Sequence, residues 1–148
     1  MTLPYEIWDV FTNTPLQGNP LAVIPNATGL SESQMQAIAK EFNLSETSFI
    51  LPSEKAHFRA RYFTPSRELP MAGHPTIGSI FSLYRLGKIN VLREVSLELA
   101  AGIFPIRLEY EGGQLSQAWM EQGIPKVLAE VVDRQAVAHF LNLREDDL

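Results

Sequence analysis

Residues 75–86 constrain the fold more than any other stretch, because they read as a helix that is apolar or small on nearly every side. Ile77, Ile80, Phe81, Leu83, Tyr84 and Leu86 reach round the whole cylinder, Gly78 and Ser79 lie between them, and Gly87 is a natural stop. Such a helix must be surrounded by protein rather than lie on a surface. Strand-like segments on both sides can supply the wrap. Before the helix these are residues 5–11, 21–24, 47–51 and the alternating 57–63. After it come 94–99, 103–110 and 115–121, with Gly112-Gly113 marking a turn between the last two. The run 21–24 is wholly apolar and is expected to be a buried strand paired with the first. A second helix opens on the capping-box signature Ser31-Glu32-Ser33-Gln34, carries Met35, Ile38, Ala39 and Phe42 on one face, and ends at Asn43.

The entrance to the apolar helix is also where chemistry is expected. A polar loop leads through Arg67-Glu68-Leu69-Pro70-Met71-Ala72 into Gly73-His74-Pro75-Thr76-Ile77-Gly78. Pro75 suits a first helical position, because the N–H it lacks would be unpaired there. Gly73 lets a ligand approach the backbone closely. Free N–H groups and the positive dipole end of a helix favour an anion by roughly 0.3–2 kcal/mol. A carboxylate cradle is one reading of this mouth, and a proline-started helix that binds nothing is the other. A nucleotide phosphate is a poor match, since Ser79 follows Gly78 with no lysine between. No GxGxxG follows a strand, which argues against a dinucleotide fold.

Composition narrows the function classes. At 148 residues, 45% hydrophobic and 20% charged, the chain is sized for one ordinary domain or part of a larger protein. A net charge of −5 leaves no electrostatic footprint for nucleic acid. The sequence holds no apolar run long enough to span a membrane, and its first residues lack a signal region, so a cytoplasmic location is expected. The absence of cysteine excludes disulfides, thiolate nucleophiles and zinc–thiolate sites. His57, His74 and His139 show no ligand spacing, so no metal site is expected.

The end of the chain echoes its beginning. Gln36-Ala37-Ile38-Ala39 matches Gln135-Ala136-Val137-Ala138, and Asn43-Leu44-Ser45-Glu46 matches Asn142-Leu143-Arg144-Glu145 at the same offset. Two amphipathic helices of like period can match by chance. The bolder reading is a duplicated fold whose second copy has begun.

Four segments together resemble the phenazine-biosynthesis PhzF-like isomerases of the diaminopimelate epimerase superfamily. They are Phe11 through Gly18-Asn19-Pro20-Leu21-Ala22-Val23; Gln36-Ala37-Ile38-Ala39 through Asn43-Leu44-Ser45-Glu46-Thr47; Phe63-Thr64-Pro65; and Glu68-Leu69-Pro70 through Gly73-His74-Pro75-Thr76-Ile77-Gly78. The resemblance implies an α+β half: a curved, barrel-like mixed β-sheet wrapped around a central buried helix. Residues 1–125 would be the N-terminal domain and 126–148 the start of a second, incomplete repeat. It also implies a cofactor-independent enzyme with no metal, its active site in the cleft between two similar domains. By motif, Glu46 would be the catalytic residue that moves a proton along a small carboxylated substrate, an isomerisation of dihydro-hydroxyanthranilate type. Asn19, Ser45, Gly73, His74, Pro75 and Thr76 would line the substrate site.

Without that resemblance the same residues read plainly: Glu46 as a solvated carboxylate after a helix, His74 as a loop or capping residue, Asn19 as a turn residue. The physics is compatible with the chemical reading. A single carboxyl can take a proton from one carbon and return it at another when burial raises its proton affinity. Glu46 precedes a buried strand, so its partial burial is expected. Superfamily members that use two thiols are excluded here, leaving the glutamate-dependent branch. Family members run to nearly twice this length, so the groove of a lone half would stay open to water. The expected partners are therefore a complementary second half or another copy of the chain. Pairing with a copy predicts a large apolar surface. The competing class is a non-catalytic half-domain acting as an interaction or assembly protein.

Overall fold

The computed structural model describes residues 2–124 and 133–147. Along the chain lie β1 (Glu6–Val10), β2 (Asn19–Ile24), α1 (Glu32–Phe42), β3 (Thr47–Leu51), β4 (Phe58–Phe63), β5 (Glu68–Leu69), α2 (Gly73–Arg85), β6 (Glu94–Leu99), β7 (Gly102–Glu111), β8 (Gln114–Met120) and α3 (Arg134–Leu141), followed by a 3-10 turn at Glu145–Asp147.

Helix α2 is the axle of this arrangement. It packs against β1, β2, β3, β4 and β8, and Thr76, Ser79, Ile80, Ser82 and Leu83 on it have no exposed surface. The sheet runs β1-β2-β3-β4-β6-β7-β8, with the short β5 beside β4. The β2–β3 and β4–β6 pairs are parallel and the others antiparallel. This mixed sheet curls until both its end strands flank α2. Between those ends a groove of about 1320 Å³ remains, floored by Ile77, Gly78 and Phe81 and walled by Trp8 and Trp119. The α+β half with a central buried helix is thus the fold of this chain.

Strands β2, β3 and β4 are covered on both faces, which explains why residues 21–24 carry no polar side chain. Leu21, Val23, Ile50, Ala60 and Tyr62 join Ile80 and Leu83 of α2 in the inner core. Ile24, Phe49 and Phe63 face the other way and meet Met35 and Ala39 of α1. Each such large apolar side chain contributes about 1.5–3 kcal/mol on burial. Gly78 is required by the close approach of α2 to the sheet, because a Cβ there would collide with the side chains of Leu21 and Val10.

The helix ends follow their local signals. The Ser31 hydroxyl accepts from the Gln34 N–H at 3.2 Å, and the Gln34 carboxamide accepts from the Ser31 N–H at 2.9 Å. Asn43 closes α1 in the left-handed conformation, with φ 52°. Helix α2 ends at Arg85 with Leu86 as its C-cap; just beyond, the Gly87 N–H donates to the Tyr84 carbonyl and that of Lys88 to Leu83.

Two expectations are corrected. Helix α2 begins at Gly73, so Pro75 occupies the third helical position rather than the first. The first N–H groups of any helix lack an acceptor within it, so a proline fits throughout that turn. Within the expected polar loop, Glu68 and Leu69 instead pair with Phe63 and Tyr62. The domain boundary expected at residues 125 and 126 lies outside the described residues. Helix α3 is described and packs chiefly on the 3-10 turn that follows it, leaving Phe140 88% and Leu141 52% exposed. No helix among the described residues is long and apolar enough to cross a membrane.

Candidate active site

The αL cap at Asn43 turns the chain back so that Leu44-Ser45 lead directly into β3. Side chains alternate along a strand, so Ser48 and Ile50 share the face of β3 that looks onto α2, and Glu46 lies immediately ahead of that strand. His74, the second residue of α2, meets it there. Glu46 Oε2 lies 3.4 Å from His74 Nδ1, and the two side chains are only 18% and 8% exposed. Neither Glu46 Oε2 nor His74 Nε2 has a hydrogen-bond partner, although both atoms are buried. Buried polar atoms are nearly always paired, so two orphans side by side mark a place where a polar group is wanted.

Burial pushes the His74 ring below its ordinary value near 6.5, while the Glu46 carboxylate and the Pro20 carbonyl beside it pull in the opposite direction. Burial prevails, and the ring is neutral at pH 7. A neutral imidazole carries one ring proton, so one of its nitrogens is a donor and the other an acceptor.

The rim of the site comes from the loop before β2. Asp9 accepts the Leu16 N–H at 2.7 Å, and Gly18 presses so closely on β1 that a Cβ would sit 2.6 Å from the Val10 carbonyl oxygen. This fold of the loop delivers Asn19 to the head of β2, where its carboxamide oxygen accepts from the Ser45 hydroxyl at 3.4 Å. Both side chains are exposed. Gly73 is exposed as well, and a Cβ built on it would meet nothing within 4 Å. The N-cap residue of α2, Ala72, makes no side-chain cap bond, so no side chain occupies the helix mouth from that position.

Asn19, Ser45, Glu46, Gly73 and His74 therefore gather around the start of α2. Pro75 and Thr76 lie beneath it and are buried. The Thr76 hydroxyl is committed inward, donating to the Ala72 carbonyl at 2.8 Å and contacting the Tyr62 hydroxyl at 2.9 Å. Sequence reasoning missed the buried hydroxyls of Ser48, Tyr62 and Ser79 behind the site. Their signal was a polar group on the core-facing side of an otherwise apolar strand or helix. Among the described residues, no three His, Asp or Glu side chains gather as a metal site.

Comparison with known proteins agrees with the fold. The family model described as phenazine biosynthesis-like protein matches residues 8–148. A crystal structure of a PhzF-family phenazine biosynthesis protein from Bacillus anthracis superposes with a TM-score of 0.86 at 37% identity, over 100% of this chain and 50% of that one. The trans-2,3-dihydro-3-hydroxyanthranilate isomerase of Pseudomonas aeruginosa is 41% identical over 122 residues, which is 82% of this chain and 43% of the relative. The uncharacterized isomerase YfhB of Bacillus subtilis is 34% identical over 140 residues, or 95% of this chain and 47% of its own length. The chain thus spans about half the length of the curated relatives it matches. With a family model matched over residues 8–148 and relatives above 30% identity over most of its length, the chain belongs to the phenazine biosynthesis-like family.

Proposed function

We propose that this chain supplies one wall of the active site of a cofactor-independent isomerase, in which Glu46 is the catalytic acid/base. The observation that supports this most is the meeting of Glu46 and His74 at the mouth of α2, each with a buried, unpartnered polar atom. The substrate is a small carboxylated molecule of the dihydro-hydroxyanthranilate type, as the name of the Pseudomonas relative suggests. Its carboxylate docks against the first turn of α2 at Gly73 and His74, where the helix dipole favours an anion. Asn19 and Ser45 offer polar contacts at the rim.

The chemistry is a proton shift without net gain or loss. The Glu46 carboxylate takes a proton from one ring carbon, the double bond moves, and the resulting carboxylic acid returns the proton to another carbon. The His74 ring stands beside the carboxylate, with Nδ1 3.4 Å from Oε2. A second wall dries the cleft, supplied by a complementary half or another copy of the chain. The expected location of such an enzyme is the cytoplasm.

The test is deuterium incorporation from D₂O into trans-2,3-dihydro-3-hydroxyanthranilate by the assembled protein. Glu46→Gln is expected to lower exchange and turnover by about 10²–10⁴-fold while leaving the fold intact. A near-normal rate in that variant would overturn the role. The alternative of a non-catalytic assembly module draws on the exposed Phe11, Leu16, Ile124 and Phe140. A stable monomer that binds no small aromatic or hydroxylated carboxylate would favour it. An associated form that binds them at millimolar or better affinity would favour the enzyme.

A further inference from the structure

Behind the Glu46–His74 pair lies a set of buried, mutually paired hydroxyls. Ser48 on β3 and Tyr62 on β4 stand directly opposite each other in the sheet, and both face α2. The Ser48 hydroxyl meets that of Ser79 at 2.6 Å, and the Tyr62 hydroxyl meets that of Thr76 at 2.9 Å. All four side chains are essentially without exposed surface. Each of these four buried hydroxyls would be costly if left unpaired, and each is paired.

The hydrogen bonds have a defined direction. Thr76 spends its only proton on the Ala72 carbonyl at 2.8 Å, so the Tyr62 O–H must donate to Thr76. Burial pushes the Tyr62 phenol well above its ordinary value, so it stays a donor at any working pH. Ala72 is the N-cap of α2 and has no side-chain cap bond of its own. The run from Tyr62 through Thr76 to the Ala72 carbonyl therefore holds the N-terminus of α2 from inside the core. Ser48 on β3 stands two residues after Glu46, and its bond to Ser79 ties that strand to the same helix.

We propose that Tyr62, Thr76, Ser48 and Ser79 are positioning residues, a hydroxyl clamp that sets the separation of His74 and Glu46 by fastening α2 to β3 and β4. Apolar packing alone tolerates small slides of a helix along a sheet. Paired hydroxyls at two successive levels of α2 do not, because a shift of an ångström breaks both pairs. The inference rests on the functional reading of Glu46 and His74 and adds the parts that hold them.

The test is NMR titration of the His74 ring in the 148-residue chain, with Glu46→Gln made in several backgrounds. In the otherwise natural chain, removing the carboxylate is expected to lower the His74 midpoint, because its attraction for the protonated ring is lost. In Thr76→Val, and in the paired Ser48→Ala/Ser79→Ala variant that leaves no hydroxyl orphaned, that Glu46→Gln shift is expected to shrink to less than about half. Thr76→Ser, which keeps the hydroxyl, should restore it. A shift that survives undiminished in both clamp variants, with only thermal stability reduced, would overturn the clamp and leave the functional reading standing. No shift in the natural chain would instead sink the Glu46–His74 pair itself. If Thr76→Val fails to fold, the serine pair decides the question.

Discussion

Helices α1 and α3 are written in nearly the same local code and have opposite fates. Each ends on an asparagine in the left-handed conformation, Asn43 at φ 52° and Asn142 at φ 55°. Each carries an alanine that is almost wholly buried, Ala39 and Ala138. Each starts on a side-chain cap: Ser31 accepting from Gln34 in α1, Asp133 accepting from the Ala136 N–H at 2.9 Å in α3. Yet α1 lays Met35 and Ala39 on Ile24, Phe49 and Phe63, whereas α3 leaves Phe140 and Leu141 in the open. The difference shows that caps and periodicity suffice to shape a helix, and that only a sheet beneath it turns the helix into a structural wall. The internal echo is carried by equivalent local geometry, and we propose that residues 126–148 begin a second copy of the fold.

The largest effect should separate the two glutamates that follow these helices. Glu46 is partly buried against His74, while its counterpart Glu145 sits in an exposed turn. Glu46→Gln is expected to lower turnover of the assembled protein by about 10²–10⁴-fold, the usual worth of a general acid/base. Glu145→Gln is expected to change the unfolding free energy of this chain by less than about 0.5 kcal/mol. Deuterium exchange reads the first and urea unfolding the second.

Next come the helix faces. Met35→Ala empties a site that is 2% exposed and should cost about 2–5 kcal/mol. Leu141→Ala on α3 should change the urea midpoint hardly at all, within about 0.5 kcal/mol. An equal loss at both would mean that α3 is packed after all.

The caps give a smaller contrast. Asn43→Ala places a Cβ-bearing residue without a polar side chain in the left-handed region, at a cost of about 1–2 kcal/mol. Asn142→Ala should alter the helical circular dichroism of α3 while leaving the main unfolding transition in place.

The smallest effect is the pH dependence due to His74. Its folded-state value lies below the ordinary 6.5, chiefly through burial, so the unfolded chain binds the proton more readily. The contribution to stability is therefore complete above about pH 6.5 and is lost as pH falls from there through the folded-state value. Urea midpoints should decline over that window, and His74→Gln should flatten the decline. A midpoint that rises on acidification in the natural chain would contradict the sign.

Much of the scaffold was legible because its signals are local. The capping box at Ser31, the αL stop at Asn43, the turn at Gly112-Gly113 and the unbroken apolar run from Leu21 to Ile24 each depend on neighbours a few residues away. The two-residue strand β5 was not legible, since Glu68 and Leu69 pair only because β4 leaves an edge free beside them. Nor was the helical position of Pro75, since a proline is equally at home anywhere in a first turn. Within the site, the Asn-Leu-Ser-Glu motif pointed to Glu46 and the Gly-His-Pro run to His74. The inward turn of Thr76 and the hydroxyls behind it had no local signature.

By itself the sequence determined most of the elements, the cap and stop of α1 and the need for one helix to be enclosed, because hydrophobic period and capping chemistry act over a few residues. Tertiary structure decided which strands became neighbours and how the sheet curled. It also brought a carboxylate just ahead of β3 to within 3.4 Å of an imidazole on α2. Those outcomes depend on long-range burial of both faces of the sheet, which no short stretch of chain encodes alone.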